Sequence, residues 1–235
     1  MKALRTKVCT YAIALLTGIG FATSTLAGSS DFSGVWIAGH AEMNVVAIDG
    51  THTDGDAGGD IPYGVASGVI GGVAPTAGYE IGFNLPIGDT FFVTVGFADG
   101  GGESAAIAKV DDGSGDGAAA GSTTDVSLHA SNPSWWYIAP SISVFDNSAV
   151  YVKFGQADVS LKAIGDVTGT PGNLNGDMWG IGTTSISSNG LFIKTEAGAI
   201  QYDQFKITGI GGDAADIVEG NPLVGYGHLS IGYKF

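Results

Sequence analysis

The sequence predicts an all-β protein: an eight-stranded antiparallel up-and-down transmembrane β-barrel in residues 28–235. Three observations lead to this prediction. The last seven residues alternate strictly between apolar and polar, long alternating stretches recur along the chain, and the connections alternate between short and long. The stretches are long for a soluble protein, whose strands usually have about 5–6 residues. A tilted strand that crosses a bilayer needs about 9–11 residues.

The start of the chain, through Ala27, has the pattern of a cleaved secretory signal peptide. A basic segment at residues 2–7 precedes an apolar segment at residues 11–21, and small residues follow. The apolar run is too short for a permanent membrane-spanning helix. Cys9 is the only cysteine and lies inside this segment, so the mature domain of residues 28–235 is predicted to contain no disulfide.

Composition bounds the partners of the mature domain. The chain has 23 acidic and 9 basic residues, a net charge of −14 with histidine neutral. This excess of negative charge opposes binding to nucleic acid and other polyanions. No apolar stretch of about 20 residues follows Ala27, so no transmembrane helix is predicted. Glycine accounts for 40 of the 235 residues, which suits a curved sheet with many turns.

Eight alternating stretches are predicted as strands because their apolar residues recur with a period of two. In the first, Val35 and Ile37 share one face and His40 lies on the other. In the fifth, the apolar phase changes near Gly155 and Gln156, which predicts a β-bulge. The predicted strands are residues 32–48, 77–85, 91–98, one within 125–145, 149–164, 176–186, 191–210 and 222–235.

The connections after the second, fourth and sixth strands are predicted as tight turns. Longer loops follow the odd-numbered strands, at residues 49–75, 99–124, 165–175 and 211–221. This asymmetry is typical of transmembrane barrels, which have short turns on one side of the membrane and long loops on the other. Residues 63–73 are apolar enough for either a strand or a packed loop. A hairpin in that first long loop would raise the strand count to ten.

Three stretches resemble the small bacterial outer-membrane β-barrel family, the eight-stranded type that includes OmpA-like transmembrane domains and opacity-type porins. They are residues 32–39, the hairpin of residues 186–197 and the ending at Phe235. In the hairpin, Lys194, Thr195 and Ala197 replace the Arg and Tyr that family members usually have around the inward glutamate. The resemblance covers nearly the whole mature chain and indicates architecture far more than activity.

The resemblance implies a location and several partners. The location is the Gram-negative cell outer membrane, reached by export through the cleaved signal peptide. Implied partners are outer-membrane lipid, periplasmic chaperones and the barrel-assembly machinery. The assembly signal of the family corresponds to alternate residues of the last strand, which are Leu229, Ile231, Tyr233 and Phe235.

The interior of an eight-stranded barrel is just wide enough for side chains to fill it. Because lipid excludes charge, the phase of each strand turns its polar residues inward. We expect Glu42 and Glu196 to pair with Lys153 and Lys194, since no arginine follows Arg5. The predicted polar network of the lumen is His40, Glu42, Glu80, Tyr137, Lys153, Lys194 and Glu196.

The favoured function is a structural, envelope-integrity role with a filled lumen. A small passive diffusion pore and a surface-binding protein or adhesin acting through acidic loops are the alternatives. Asp54, Asp56 and Asp60 offer clustered oxygen ligands for Ca²⁺, and no other cofactor is predicted. No nucleophile elbow, zinc motif or phosphate loop occurs, so the chain is not predicted to be an enzyme. The oligomeric state and any loop ligand stay open at this stage.

Overall fold

The computed structural model gives the backbone and side chains of most of the mature domain. The predicted signal peptide lies outside the described residues, and so do Asp54, Asp56 and Asp60, so both features stay predictions. No helix in the described part is long and apolar enough to cross a membrane. The described residues are 28–53, 65–110, 126–145, 147–165, 167–209 and 217–235.

A short 3-10 turn and ten strands make up the secondary structure of the described residues. The turn is Ser29–Phe32, and it packs against the aromatic ring of Phe92 at the bottom of the barrel. The strands are β1 (Gly34–Thr53), β2 (Val65–Ile87), β3 (Phe91–Asp99), β4 (Glu103–Val110), β5 (Val126–Phe145), β6 (Ser148–Ile164), β7 (Gly172–Ile186), β8 (Leu191–Tyr202), β9 (Phe205–Thr208) and β10 (Ile217–Lys234).

Eight of these strands close into one antiparallel ring, in the order β1-β2-β3-β5-β6-β7-β8-β10, with β10 paired to β1. This confirms the predicted eight-stranded barrel. The closing pair sets Trp36 opposite Lys234. At its end, the Phe235 N–H donates a hydrogen bond to the Val35 carbonyl at 3.0 Å. The last strand therefore has a neighbour on each side, which leaves the ring without an open edge.

The other two strands, β4 and β9, extend ring strands beyond a short break in the chain. β4 follows β3 after a break at Gly101 and Gly102, whose φ angles are 52° and 74°, and it pairs with β5. β9 follows β8 after a two-residue break and pairs with β10. The proposed source of extra strands was a hairpin in the first long loop. Instead, residues 49–53 and 65–75 extend β1 and β2, which pair along their length up to Thr53 and Val65.

The bulge predicted near Gly155 and Gln156 is wrong. Both residues lie in unbroken register with β5 and β7, and odd-numbered positions face the interior along the whole of β6. Ala157 and Leu161 are therefore inside the barrel. The phase of the strand stays the same at Gly155, and it is the polarity of the inward side chains that changes there. The irregularity lies in β5, where Asn132 has a φ of 50° within a shift of register.

A band of large apolar side chains covers the outside of the barrel. A soluble monomer rarely exposes so extensive an apolar surface. On β6 the band ends at Phe154, because the next outward positions are Gln156 and Asp158. On β7 it ends at Trp179, where Asp177 follows outward. Outward apolar residues of the band include Val35, Ile37, Ile81, Phe83, Val95, Ile138, Phe154, Ile181, Ile193 and Ile231.

Candidate functional site

The middle of the barrel is filled by ionisable side chains that point inward from five strands. We call this group the lumen plug. All of its members are buried, with at most 8% of the residue surface exposed. The plug consists of Glu42 on β1, Glu80 on β2, Lys153 on β6, Lys194 and Glu196 on β8, and His228 on β10.

Lys153 and Glu196 form the most enclosed ion pair of the plug. The Lys153 Nζ lies 2.8 Å from Glu196 Oε1, and the two side chains are 0% and 1% exposed. Glu196 also accepts hydrogen bonds from the Tyr226 hydroxyl at 2.7 Å and the Tyr151 hydroxyl at 2.9 Å. The Lys153 ammonium lies 4.2 Å from the centre of the Tyr137 ring. Both charges are thus surrounded by partners, as burial of an ion pair requires.

Lys194 pairs with Glu80 rather than with Glu42. Its Nζ lies 3.0 Å from Glu80 Oε2 and donates a hydrogen bond to the Tyr137 hydroxyl at 3.1 Å. The ammonium also lies 4.4 Å from the centre of the Trp36 ring, within the range of a cation–π contact. The expectation that Glu42 pairs with a lysine is therefore wrong, because Lys153 is paired with Glu196 and Lys194 with Glu80.

Glu42 instead pairs with His228, a residue outside the predicted polar network. The His228 Nδ1 lies 3.0 Å from Glu42 Oε2, and its Nε2 lies 2.6 Å from Ser230 Oγ and 3.4 Å from Glu80 Oε1. The Ser230 hydroxyl donates to Glu80 Oε2 at 3.0 Å. Extending the alternation of the last strand by one step, from Ser230 back to His228, would have placed this histidine on the inward face.

His40, also predicted for the lumen, lies inside the barrel with 6% of its surface exposed. Its ring centre is 4.8 Å from that of His228 and 5.4 Å from that of Trp135. Neither ring nitrogen of His40 has a hydrogen-bond partner among the described residues. A buried polar group without a partner is costly, so this ring needs a physical explanation.

Glycines on the inner wall make room for the plug. A Cβ at Gly180 would lie 2.6 Å from the Tyr226 hydroxyl oxygen, and a Cβ at Gly182 would overlap the Tyr151 ring. Gly96 stands against Tyr137 in the same way. The inward glycines therefore set where the three tyrosine rings lie. Tyr151 and Tyr226 in turn donate hydrogen bonds to the Glu196 carboxylate, and the Tyr137 hydroxyl accepts one from Lys194.

Two cavities flank the plug, and they share no lining residue. The lower cavity has a volume of about 30 Å³ and lies against Lys194 and Tyr137. The upper chamber has a volume of about 160 Å³ and lies above Glu42 and Trp135. Side chains of the plug thus separate two spaces of different size. Mostly apolar residues line the upper chamber, among them Val46, Ile107, Val159, Leu161, Leu174, Ile200, Tyr202 and Val224.

The Ser230, His228 and Glu42 side chains follow each other by hydrogen bonds, as a nucleophile, a base and an orienting carboxylate would. Two observations oppose acyl chemistry at this serine. Ser230 is 0% exposed and lines neither the upper chamber nor the lower cavity. The Glu80 carboxylate accepts a hydrogen bond from the Ser230 hydroxyl, and its negative charge would repel a developing oxyanion. We therefore assign no catalytic role to this arrangement.

The rim beyond the apolar band carries an exposed ion pair between β4 and β6. The Lys162 Nζ lies 2.7 Å from Glu103 Oε2, and the side chains are 53% and 42% exposed. The hydrogen bond and the charge of Lys162 lower the pKa of the Glu103 carboxyl below its usual value. Substitution of this pair therefore measures what an exposed ion pair contributes to stability outside the plug.

The residues of the predicted assembly signal lie on the outer surface of β10. Leu229, Ile231 and Tyr233 point outward and are 46%, 59% and 43% exposed. Phe235 is 74% exposed, and its ring packs edge-on against Tyr233 with the centres 5.3 Å apart. Their surface is continuous with the apolar band, and their part in assembly stays a proposal.

Comparison with known proteins identifies the fold. No family model and no curated protein matches the chain. Among solved structures, the outer membrane protein OprG of Pseudomonas aeruginosa is similar over 90% of this chain and 98% of its own, with a TM-score of 0.54 and 12% identity. AlkL is similar over 94% of this chain and 98% of its own (TM-score 0.43, 14% identity). The attachment invasion locus protein Ail of Yersinia pestis is similar over 84% of this chain and 99% of its own (TM-score 0.38, 10% identity).

The likeness to OprG shows that this chain has the fold of a small outer-membrane β-barrel protein. The resemblance found in the sequence is thereby confirmed at the level of the fold. At 12% identity the likeness carries neither a ligand nor an activity to this chain. The features of this chain that bear on its function are the lumen plug and the two cavities.

Proposed function

We propose that this protein is a structural barrel of the Gram-negative outer membrane that does not conduct solutes. Export through the cleaved signal peptide and insertion by the barrel-assembly machinery, aided by periplasmic chaperones, belong to the proposal. The fold supports it, because closure of the ring satisfies the backbone groups that lipid cannot. The outward apolar band supports contact with outer-membrane lipid.

The lumen plug carries the proposal for a sealed barrel. A solute that crossed the middle of the lumen would have to part the pair of Lys153 and Glu196 and the pair of Lys194 and Glu80. Leaving one partner of such a buried pair uncompensated costs about 3–5 kcal/mol. The plug therefore disfavours the passive pore and favours the structural role.

Single-channel recording in planar bilayers tests the sealed barrel. The wild-type protein is expected to show no stable conductance step. A double variant, Lys153→Met with Glu196→Gln, removes one of the two pairs and leaves neither of its partners as an uncompensated charge, so we expect it to conduct more than the wild type. Lys162→Met, at the exposed rim, serves as the matched control and should stay silent. Stable conductance by the wild type at the level of the double variant would contradict the proposal.

The upper chamber favours a second function: reception of a small apolar molecule from the side of the long loops. Its volume of about 160 Å³ and its apolar lining are the observations in favour. Apolar cavities of about 150 Å³ can hold a molecule the size of benzene. The plug closes the floor of the chamber, so a molecule bound there would not pass along the barrel axis.

Titration with a small aromatic fluorophore tests this second function. Saturable binding to the wild type is expected, and Val159→Phe should weaken it by filling the chamber. Ala139→Val, on the wall of the lower cavity, changes volume on the other side of the plug and should leave binding unchanged. Equal binding by wild type and Val159→Phe would exclude the chamber as the site.

A further inference from the structure

We propose that His40, Glu80 and His228 bind one divalent transition metal ion of the zinc type at the centre of the lumen plug. One ligand atom from each residue lies within 4.8 Å of the other two. The three residues are buried, at 6%, 0% and 4% exposed. They come from β1, β2 and β10, so barrel closure brings them together. This site is separate from the Ca²⁺ site predicted in the first long loop.

The distance between two of the ligand atoms matches tetrahedral coordination. Zinc binds histidine nitrogen and carboxylate oxygen at about 2.0–2.2 Å, which places tetrahedral neighbours about 3.3–3.5 Å apart. The His228 Nε2 lies 3.4 Å from Glu80 Oε1. That separation is too long for a good hydrogen bond, and Glu80 Oε1 has no hydrogen-bond partner among the described residues. A cation between the two atoms would bind both.

The groups around these ligands are those that usually surround a metal site. A ligating histidine typically donates its second ring N–H to a carboxylate, which fixes the tautomer. His228 Nδ1 has this partner in Glu42, at 3.0 Å. The second oxygen of Glu80 accepts hydrogen bonds from Lys194 and Ser230, both at 3.0 Å. Ser230 would keep that bond and release His228 Nε2 when the ion binds.

His40 distinguishes the metal site from a simple ion pair. An imidazolium at His228, donating to Glu42 and to Ser230 and Glu80, would account for His228 by itself. It would leave both nitrogens of the buried His40 ring without a partner. A metal ion shared with His228 satisfies one of these nitrogens, and the 4.8 Å between the two ring centres places His40 within reach.

The ligand set and the local charge select the class of ion. Two imidazoles and one carboxylate suit zinc and neighbouring transition metals, whereas Ca²⁺ and Mg²⁺ take oxygen ligands. When His228 is a neutral ligand, the three carboxylates of Glu42, Glu80 and Glu196 face two lysines, and the one remaining negative charge favours a bound cation. Glu42 also lines the upper chamber, which gives the ion a route from the loop side.

Zinc binding by the untagged, detergent-folded protein tests the site. After removal of metals with a chelator, equilibrium dialysis against Zn²⁺ is expected to give one ion per barrel. His40→Phe keeps a buried aromatic ring and removes no hydrogen bond, and it should weaken binding by at least about tenfold. His129→Phe makes the same substitution on β5 away from the plug, where it also removes a ring contact with the Ser104 carbonyl, and it should bind like the wild type. Stoichiometry is read by elemental analysis of the dialysed protein.

Two results would overturn the site: no zinc retained by the wild type, or equal retention by the wild type and His40→Phe. Should His40→Phe fail to fold, X-ray absorption at the zinc edge of the loaded wild type decides instead. Two imidazoles in the coordination shell are expected there. A shell of oxygen ligands alone would place the ion elsewhere and refute the proposal.

Discussion

The lumen plug and the upper chamber lie on the same inner wall of one barrel, yet their chemistry differs. In the plug, Lys153 and Glu196 are enclosed by tyrosines that donate hydrogen bonds to the carboxylate. In the chamber, Val159 and Leu161 face a cavity of about 160 Å³. The alternation of the strands is the same in both regions. At Gly155 of β6 the inward side chains change from charged to apolar. This change separates the closed lumen plug from the upper chamber.

The difference teaches where the barrel tolerates change. A buried ion pair depends on geometry, because each partner left alone is strongly destabilising. An apolar wall beside a cavity depends on volume, and small changes of volume are tolerated there. Substitutions of similar size should therefore cost much more in the plug than in the chamber.

The largest effect is expected from Lys153→Met. It leaves the Glu196 carboxylate buried without its cation, and the free energy of unfolding should fall by about 3–5 kcal/mol. Urea unfolding in lipid vesicles measures it, with Lys162→Met at the exposed rim as the control. Equal urea midpoints for the two variants would show that the plug does not hold the barrel together.

A smaller effect is expected from Tyr226→Phe, which removes the hydroxyl that donates to Glu196 Oε1 at 2.7 Å. Hydrogen bonds to charged groups contribute about 1.5–3 kcal/mol, so the free energy of unfolding should fall by that amount. Tyr79→Phe is the control, because Tyr79 is exposed and its hydroxyl lies 3.4 Å from Asp99. An equal loss of unfolding free energy in Tyr79→Phe would show that the buried tyrosine hydroxyl contributes no more to stability than the exposed one.

Adding a methyl or methylene group to each region sharpens the comparison further. Gly182→Ala places a Cβ against the Tyr151 ring, and such overpacking costs about 1–3 kcal/mol. Val159→Ile extends into the upper chamber and should change stability by less than about 1 kcal/mol. Thermal unfolding of both variants under one set of conditions measures the difference. A larger loss for Val159→Ile would mean that the chamber is as tightly packed as the plug.

The smallest effect is expected from Glu103→Gln at the rim. The pKa of Glu103 is lowered by Lys162, so its ion pair adds stability above the usual carboxyl pKa. That contribution is lost as the pH falls through the lowered pKa. Because both side chains are well exposed, water and salt screen the pair, and the urea midpoint at pH 7 should not change measurably. A clear shift at pH 7 that disappears in high salt would show a stronger rim than expected.

The ring of eight strands could be predicted because a period of two is a strong signal in a barrel wall. Outward residues such as Ile193 must be apolar, and this fixes the inward direction of Lys194 and Glu196. Partner choice could not be predicted in the same way. Glu42 meets His228 instead of a lysine because the relative shift of the strands, which alternation does not encode, sets which inward residues share a level.

The upper half of the barrel was harder to predict for a different reason. Beyond Gly155, the inward side of β6 is apolar and the outward side polar, the reverse of the rule for a wall in lipid. Because apolar residues are expected on the outside of the wall, the change of apolar phase near Gly155 and Gln156 predicted a bulge instead of a change of polarity. β4 and the upper parts of β1 and β2 were not predicted as strands because glycine and aspartate in those stretches indicated loops.

The pairing of β1 with β10 joins the two ends of the described chain, with Trp36 opposite Lys234. Neighbouring strands elsewhere in the ring can pair soon after they meet, since short turns join many of them. The closing pair has to bring together segments that are nearly the whole domain apart, at the greatest cost in chain entropy. Closure is therefore expected to form last and to set the folding rate, as topologies rich in distant contacts fold slowly. Until β10 pairs with β1, Glu80 and Glu42 have no His228 beside them. The plug is therefore complete only after the barrel has closed.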